Sequence, residues 1–170
     1  KGLEAPKVVI PPQLFRADEL RSKRELDEAM KEVLSYLNDN YEHVPSLISA
    51  AHIFVDAEKW GLAQALLKLA SILEPDKSFI WSDLGLCYNE GHDLKEGEAC
   101  YIKALHRDPN NARALNNLAM LYNAMAQPLK AINVADKAIR LEPDLPDAHY
   151  NRGIAMLYLG NFEEGWKGYE

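Results

Sequence analysis

A repeat of 34 residues runs through most of this 170-residue chain and limits what it can fold into. Pro75, Pro109 and Pro143 lie 34 positions apart, and an acidic residue precedes each of them. Small residues recur at the same interval in three further columns, which are Ala51, Gly85, Ala119 and Gly153; Ala63, Gly97, Ala131 and Gly165; and Ala70, Ala104 and Ala138. A fixed period of this length predicts one supersecondary unit repeated in series.

Each unit has the sequence pattern of two amphipathic helices. In the unit around Gly85, apolar residues follow helical spacing near 79–91 and 95–107, with a turn at 91–93 between them. Glycine inside a helix costs about 1 kcal/mol relative to alanine. Gly85 and Gly97 therefore indicate close contact between neighbouring helices rather than contact with a ligand. Pro109 cannot continue the second helix and ends the unit.

The same residues carry a family resemblance. The motif WSDLGLCY at 81–88, followed by Gly97, Tyr101, Ala104 and Pro109, resembles the tetratricopeptide repeat. The resemblance implies an all-α fold, a right-handed solenoid of antiparallel helix pairs. It places repeats at 44–77, 78–111 and 112–145, and a fourth at 146–170 that stops inside its second helix. We therefore expect the chain to be a piece of a longer protein.

The N-terminal part lacks the full motif. The pair Pro11–Pro12 favours extended backbone, so residues 1–16 are predicted to form an extended, proline-containing segment. The stretch LDEAMKEVLSYL at 26–37 resembles the second helix of a degenerate repeat, since Ala29 falls on a small-residue column. Residues 17–43 are therefore predicted to cap the array, with a helix that begins near Ala17.

Composition and charge exclude several classes of function. The chain is 48% apolar, with a net charge of −7 and a pI near 5.3, which argues against a nucleic-acid partner because phosphate binding needs a basic face. No run approaches the ~20 apolar residues of a membrane helix, so no membrane insertion is expected. The two cysteines form neither a disulfide framework nor a metal quartet. A cytoplasmic location is predicted.

No motif for catalysis is present. The five histidines show no paired spacing for a metal, and nucleophile-elbow, phosphate-loop and dinucleotide-binding motifs are absent from the sequence. Acidic pairs such as Glu163–Glu164 adjoin predicted helix starts, where the helix dipole favours negative charge. We therefore expect no active site, cofactor or metal within these residues.

In the resembled family, the first helix of each repeat lines a concave wall that holds the ligand. The repeat register assigns residues to that wall. The candidate binding residues are Asp83, Asn117 and Asn151; Ser82, Asn116 and Tyr150; Leu86, Met120 and Ile154; and Asn89 and Asn123. Ser49, His52, Val55 and Leu157 belong to the same columns.

Known modes of recognition on such walls differ in the residues they need. Asn117 and Asn151 resemble part of the asparagine ladder of nucleocytoplasmic O-GlcNAc transferases, which implies binding of an extended peptide through its backbone; alternatively these amides only solvate the wall. The carboxylate clamp of chaperone-binding repeats is not expected, because Arg113 is the one cation placed there. The apolar column suits a partly apolar ligand such as an amphipathic helix, or the chain's own segment VVIPPQLF at 8–15.

The sequence thus predicts a non-enzymatic module that binds a peptide or partner protein in a concave groove. The alternative is the recognition region of a larger enzyme, because NFEEGWKGYE at 161–170 resembles the last repeat before bacterial glycosyltransferase-type domains. A third possibility is self-association through the repeat ends, where Ile154, Leu157, Tyr158 and Trp166 form an apolar face.

Overall fold

A computed structural model describes residues 11–168 of the chain. This part folds into ten α-helices. The helices are α1 (Pro12–Ser22), α2 (Leu26–Asp39), α3 (Val44–Asp56), α4 (Trp60–Leu73), α5 (Ser78–Glu90), α6 (Leu94–Arg107), α7 (Ala112–Ala124), α8 (Pro128–Leu141), α9 (Pro146–Tyr158) and α10 (Phe162–Lys167).

The helices stack as successive antiparallel pairs. Each odd-numbered helix packs against the even-numbered helix that follows it, and each pair packs against the next through contacts such as α4 with α5 and α8 with α9. The first helices of the pairs also touch one another, α1 with α3, α5 with α7 and α7 with α9. Between these two groups, His52 on α3 lies 2.8 Å from Asp83 on α5, so the first helices line one wall. The predicted all-α, right-handed solenoid of helix pairs is confirmed.

The turns inside the pairs repeat the 34-residue period in their backbone geometry. One residue in each turn has a positive φ, between 54° and 76°. These residues are Arg24, Glu58, His92, Ala126 and Gly160, each 34 positions after the one before. Left-handed backbone is uncommon outside glycine, so its recurrence shows that all five pairs close in the same way. The pair α1–α2 is thus built as a complete unit.

The structure corrects the predicted start of the N-terminal cap. Helix α1 begins at Pro12 rather than near Ala17, so part of the segment expected to be extended is helical. Proline is well suited to the first position of a helix, where its missing N–H has no intrahelical partner. The Pro11–Pro12 pair therefore marks a helix start. Residues 1–10, including Val8, Val9 and Ile10 of the apolar segment, lie outside the described residues.

Close helix contacts explain the small-residue columns. A Cβ added to Gly85 on α5 would lie 2.8 Å from the ring of Tyr101 on α6, which is too close for a side chain. The last pair shows the same feature. A Cβ on Gly168 would lie 2.5 Å from the carbonyl oxygen of His149. Glycine is needed at position 168 because α9 passes close against it.

Tyr101 and the two cysteines form an apolar centre in the middle of the solenoid. Tyr101 is fully buried, and its hydroxyl has no hydrogen-bond partner among the described residues. Burial raises the pKa of Tyr101 above its ordinary value. Burial also raises the pKa of Cys87 to about 12 and that of Cys100 to about 11. Both thiols are free and act as small apolar side chains.

Candidate functional site

The concave wall carries a groove across α5, α7 and α9, which we call the C-terminal groove. Its volume is about 560 Å³. It is lined by Leu86, Glu90, Asn116, Asn117, Met120, Asn123, Ala124, Asp147, Tyr150, Asn151, Ile154 and Tyr158. Eight of the eleven candidate binding residues lie here, because the 34-residue register brings equivalent positions of the three helices side by side.

The floor of the C-terminal groove is a set of buried amides that join α7 to α9. Asn151 Nδ2 donates to Asn116 Oδ1 at 2.9 Å. Asn123 Nδ2 donates to the backbone carbonyl of Asn151 at 2.8 Å. Asn123 is only 8% exposed, and its Oδ1 accepts no hydrogen bond from the described residues. Part of the predicted asparagine ladder thus holds two repeats together.

Asn117 differs from its neighbours on the floor. It is half-buried in the middle of α7, and its side-chain amide makes no hydrogen bond within residues 11–168. One donor group and one acceptor on a short stem therefore face the groove. Leu86, Met120 and Ile154 line the same groove and are also half-buried. The Asn117 amide is therefore a polar group within an apolar surface.

Asp83 occupies the ladder position of the preceding repeat, but it is engaged within the fold. Its side chain is only 6% exposed. Arg113 Nη2 on α7 donates to Oδ1 at 2.8 Å, and Oδ2 lies 2.8 Å from His52 Nε2 on α3. These three side chains, which we call the Asp83 bridge, cross the wall from one repeat to the next. Arg113, the cation that the sequence places on this wall, is therefore engaged within the fold rather than available to a ligand carboxylate.

Two further candidate residues do not line the C-terminal groove. Ser82 is 2% exposed, and its hydroxyl is buried with no partner in the described part of the chain. Asn89 is half-buried near the end of α5 and lines neither groove of the concave wall. The repeat register locates the side of a helix that faces the wall, but the depth of a side chain depends on the neighbouring helices.

A second groove, the N-terminal groove, lies on the other side of the Asp83 bridge. Its volume is about 550 Å³. It is lined by Leu14, Asp18, Arg21, Val44, Pro45, Ile48, Ser49, His52, Glu74, Lys77 and Phe79. The register places Ser49 and His52 on this wall, but it does not predict the groove, because α1 begins earlier than expected. The helical spacing of the buried residues Leu14 and Ala17, directly after Pro12, was the available signal.

Other kinds of site are not seen in the described residues. Within 11–168, no group of histidine, cysteine and acidic side chains is arranged to hold a metal ion. No helix in the same range combines the length and apolar character needed to cross a bilayer. Among described residues, the charged side chains that line the C-terminal groove are Glu90 and Asp147, and no lysine or arginine lines it.

Comparisons with known proteins agree with the repeat structure. The model of the tetratricopeptide repeat family matches residues 100–133. The chain is 24% identical over 121 residues to tetratricopeptide repeat-containing protein trd-1 of Caenorhabditis elegans, which covers 71% of this chain and 16% of that protein. It is 29% identical over 84 residues to the TPR repeat-containing protein YvcD of Bacillus subtilis, covering 49% of this chain and 17% of YvcD. The chain thus spans about a sixth of these relatives.

Solved structures show the same architecture over nearly the whole chain. A crystal structure of MamA superposes with a TM-score of 0.81 at 20% identity, covering 95% of this chain and 92% of MamA. YrrB, described as a TPR protein with an unusual peptide-binding site, superposes with a TM-score of 0.71 at 19% identity, covering 96% of this chain and 84% of YrrB. The helix pairs, their period and these superpositions show that the chain has the fold of tetratricopeptide repeat proteins, and its residues 100–133 match the model of that family.

Proposed function

We propose that this chain is a non-catalytic interaction module that holds a peptide segment of a partner protein in the C-terminal groove. The observation that carries the proposal is the position of Asn117. Its unengaged amide lies at the centre of an open groove, between apolar side chains of three successive repeats. This arrangement offers hydrogen bonds to a peptide backbone and apolar contacts to its side chains at the same place.

The chemistry of the groove supports a peptide rather than a small polar ligand. A peptide bond presents one N–H and one C=O, and a single asparagine amide can pair with both. Leu86, Met120 and Ile154 contribute apolar surface, and methionine adapts its shape to different partners. YrrB, a protein of the same fold, is described as having a peptide-binding site.

Selection from a displayed library of random peptides tests this proposal, followed by affinity measurement by fluorescence anisotropy. We expect Met120→Asp to abolish binding of the selected peptides and Asn117→Ala to weaken it about five- to tenfold, which corresponds to one or two hydrogen bonds. Leu129→Asp is the matched control, since Leu129 is 72% exposed on α8 and lines neither groove. Peptides whose affinity is the same for wild type and Met120→Asp would contradict the proposal.

The role of these repeats in a larger enzyme stays a prediction. Helix α10 carries the residues FEEGWK of the resembled terminal motif, while Tyr169 and Glu170 lie outside the described residues. In that setting the grooves would position an acceptor protein for a catalytic domain elsewhere in the polypeptide. The sequence of the full gene beyond Glu170 tests the idea, and a stop codon shortly after that position would remove it. The cytoplasmic location also stays a prediction.

Self-association through the last helix pair is a second candidate. Tyr158, Phe162 and Trp166 are each more than half exposed at this end of the solenoid, and exposed apolar patches are common at interfaces. Sedimentation velocity at increasing protein concentration tests it. Dimer formation that is lost in Phe162→Ser would support this candidate, and a monomer at every concentration would exclude it.

A further inference from the structure

The two grooves of the concave wall differ in charge. The N-terminal groove is lined by both signs, with Arg21 and Lys77 against Asp18 and Glu74. The C-terminal groove is lined by the carboxylates of Glu90 and Asp147 with no basic residue among the described ones. Both carboxylates are exposed, and neither forms an ion pair within the described chain. A cationic ligand is therefore expected to favour the C-terminal groove, because the charges that line the N-terminal groove balance.

The two carboxylates lie at opposite ends of the C-terminal groove. Glu90 is the last residue of α5, and Asp147 is the second residue of α9. The first helices of the repeats run in the same direction, so these positions are at opposite ends of the wall. The groove extends along α9 from Asp147 to Tyr158, a length of about 16 Å at 1.5 Å per residue. An extended peptide covers that length with about five residues.

Arg113, a cation on the same wall, does not cancel this charge. The backbone of Arg113 is in the first turn of α7, and its guanidinium lies 2.8 Å from the Asp83 carboxylate. Asp83 also contacts His52. The positive charge of Arg113 is therefore balanced by Asp83 within the Asp83 bridge. The groove beyond the bridge keeps an apolar centre between two unpaired carboxylates.

We propose, building on the peptide-binding function above, that the C-terminal groove selects a basic amphipathic segment. The segment has apolar side chains at its centre, over Leu86, Met120 and Ile154, and a lysine or arginine at each end. One cation pairs with Glu90 and the other with Asp147. Like charge at the same places repels acidic segments, so the two carboxylates contribute specificity as well as affinity.

The test compares three pools of short synthetic peptides, acetylated and amidated so that their termini carry no charge. All pools share the same mixture of Leu, Met, Phe and Ser at the centre, and they differ in having Lys, Gln or Glu fixed at both flanks. Anisotropy is measured at low and at high salt. We expect the Lys pool to bind about tenfold more tightly than the Gln pool at low salt, the Glu pool to bind more weakly than both, and the differences to shrink at high salt.

Variants of the protein test whether the groove carboxylates cause the difference in affinity between the Lys and Gln pools. In the double variant Glu90→Gln with Asp147→Asn, the advantage of the Lys pool over the Gln pool should disappear while the Gln pool keeps its affinity. The double variant Asp27→Asn with Glu96→Gln is the matched control, because it removes the same charge from exposed positions on α2 and α6 that line neither groove. It should keep the advantage. Circular dichroism verifies that both double variants are folded.

The outcomes separate this inference from the proposed function. Equal binding of the Lys and Gln pools, tighter binding of the Glu pool, or an advantage that survives Glu90→Gln with Asp147→Asn would overturn the choice of a basic segment. If the peptides bind in one of these ways and Met120→Asp abolishes their binding, the proposed peptide-binding function of the groove still stands. Failure of all pools and of library-selected peptides would overturn both. Binding that weakens as protein concentration rises would show a second copy of the chain in the groove and would also overturn the inference.

Discussion

Arg113 and Asp83, on neighbouring repeats, are joined at 2.8 Å across the concave wall. The carboxylate is buried, whereas the guanidinium is 62% exposed, so the two partners depend on the contact to different degrees. Asp83 needs both Arg113 and His52 to offset its burial, since an unpaired buried charge is strongly unfavourable. Arg113 can be hydrated without a partner.

We expect Arg113→Ala to be more destabilising than removal of an exposed ion pair. The variant leaves Asp83 buried with His52 as its remaining hydrogen-bond partner, and the expected loss is about 1–2 kcal/mol of unfolding free energy. Urea denaturation measures it. Asp136→Asn is the control. Asp136 and Arg152 form an ion pair of similar length, 2.7 Å, but both of its side chains are about one third exposed. That loss should stay below about 1 kcal/mol.

Removal of the Tyr101 hydroxyl should not destabilise the protein. This hydroxyl is fully buried and has no partner among the described residues, so Tyr101→Phe should leave the unfolding free energy unchanged or raise it by up to about 1 kcal/mol. Tyr122→Phe is the matched variant, because the Tyr122 hydroxyl donates to Glu98 Oε1 at 2.9 Å. That variant should lose about 1 kcal/mol. A larger loss in Tyr101→Phe than in Tyr122→Phe would show that Tyr101 has a partner.

Alanine at two glycines should change stability in opposite directions. In Gly85→Ala the new Cβ meets the Tyr101 ring at 2.8 Å, and overpacking of this kind costs about 1–3 kcal/mol. In Gly61→Ala nothing lies within 4 Å of the new Cβ, and the lower entropy of the unfolded chain should stabilise by about 0.4–1 kcal/mol. Thermal unfolding followed by circular dichroism distinguishes them. A stable Gly85→Ala would mean that α5 and α6 are further apart than described.

Alkaline pH should lower the unfolding free energy at pH values where Cys87 and Cys100 are still protonated in the native state. Burial raises the pKa of Cys87 to about 12 and of Cys100 to about 11, whereas unfolded thiols ionise near pH ~8.5. Between these values the unfolded chain binds fewer protons than the native chain, so the unfolding free energy falls as pH rises. Urea denaturation from pH 7 to 11 measures the slope, and the variant Cys87→Ala with Cys100→Ala should show a smaller one. Fast thiol modification of the native protein near neutral pH would contradict the buried environment.

The fold could be predicted from the sequence because its determinants recur. Each small-residue column reports the same helix contact several times, and several columns in register with the recurring prolines place the helix pairs. The first pair was placed less well, although Ala17 falls on the small-residue column of Ala51, because the prolines at the start of α1 also suit extended backbone. The backbone turn at Arg24 shows that it belongs to the series.

The candidate site could be predicted only in part. The register placed Asn117, Met120 and Ile154 on the same wall, because equivalent positions on parallel helices are neighbours. It could not show that Asp83 is held by His52 and Arg113, which lie 31 and 30 residues away in other repeats. Side-chain pairing between repeats depends on distances across the wall, and a linear pattern does not contain them.

The left-handed turn residues have a consequence for how proteins of this kind change length. Because Glu58, His92 and Ala126 occupy equivalent places, a segment that starts at one of them and ends before the next is a complete building block with matching ends. Genetic duplication or loss of such a block lengthens or shortens the array and keeps every junction of a type already present. Each copy adds another stretch of wall whose few surface residues are then free to diverge.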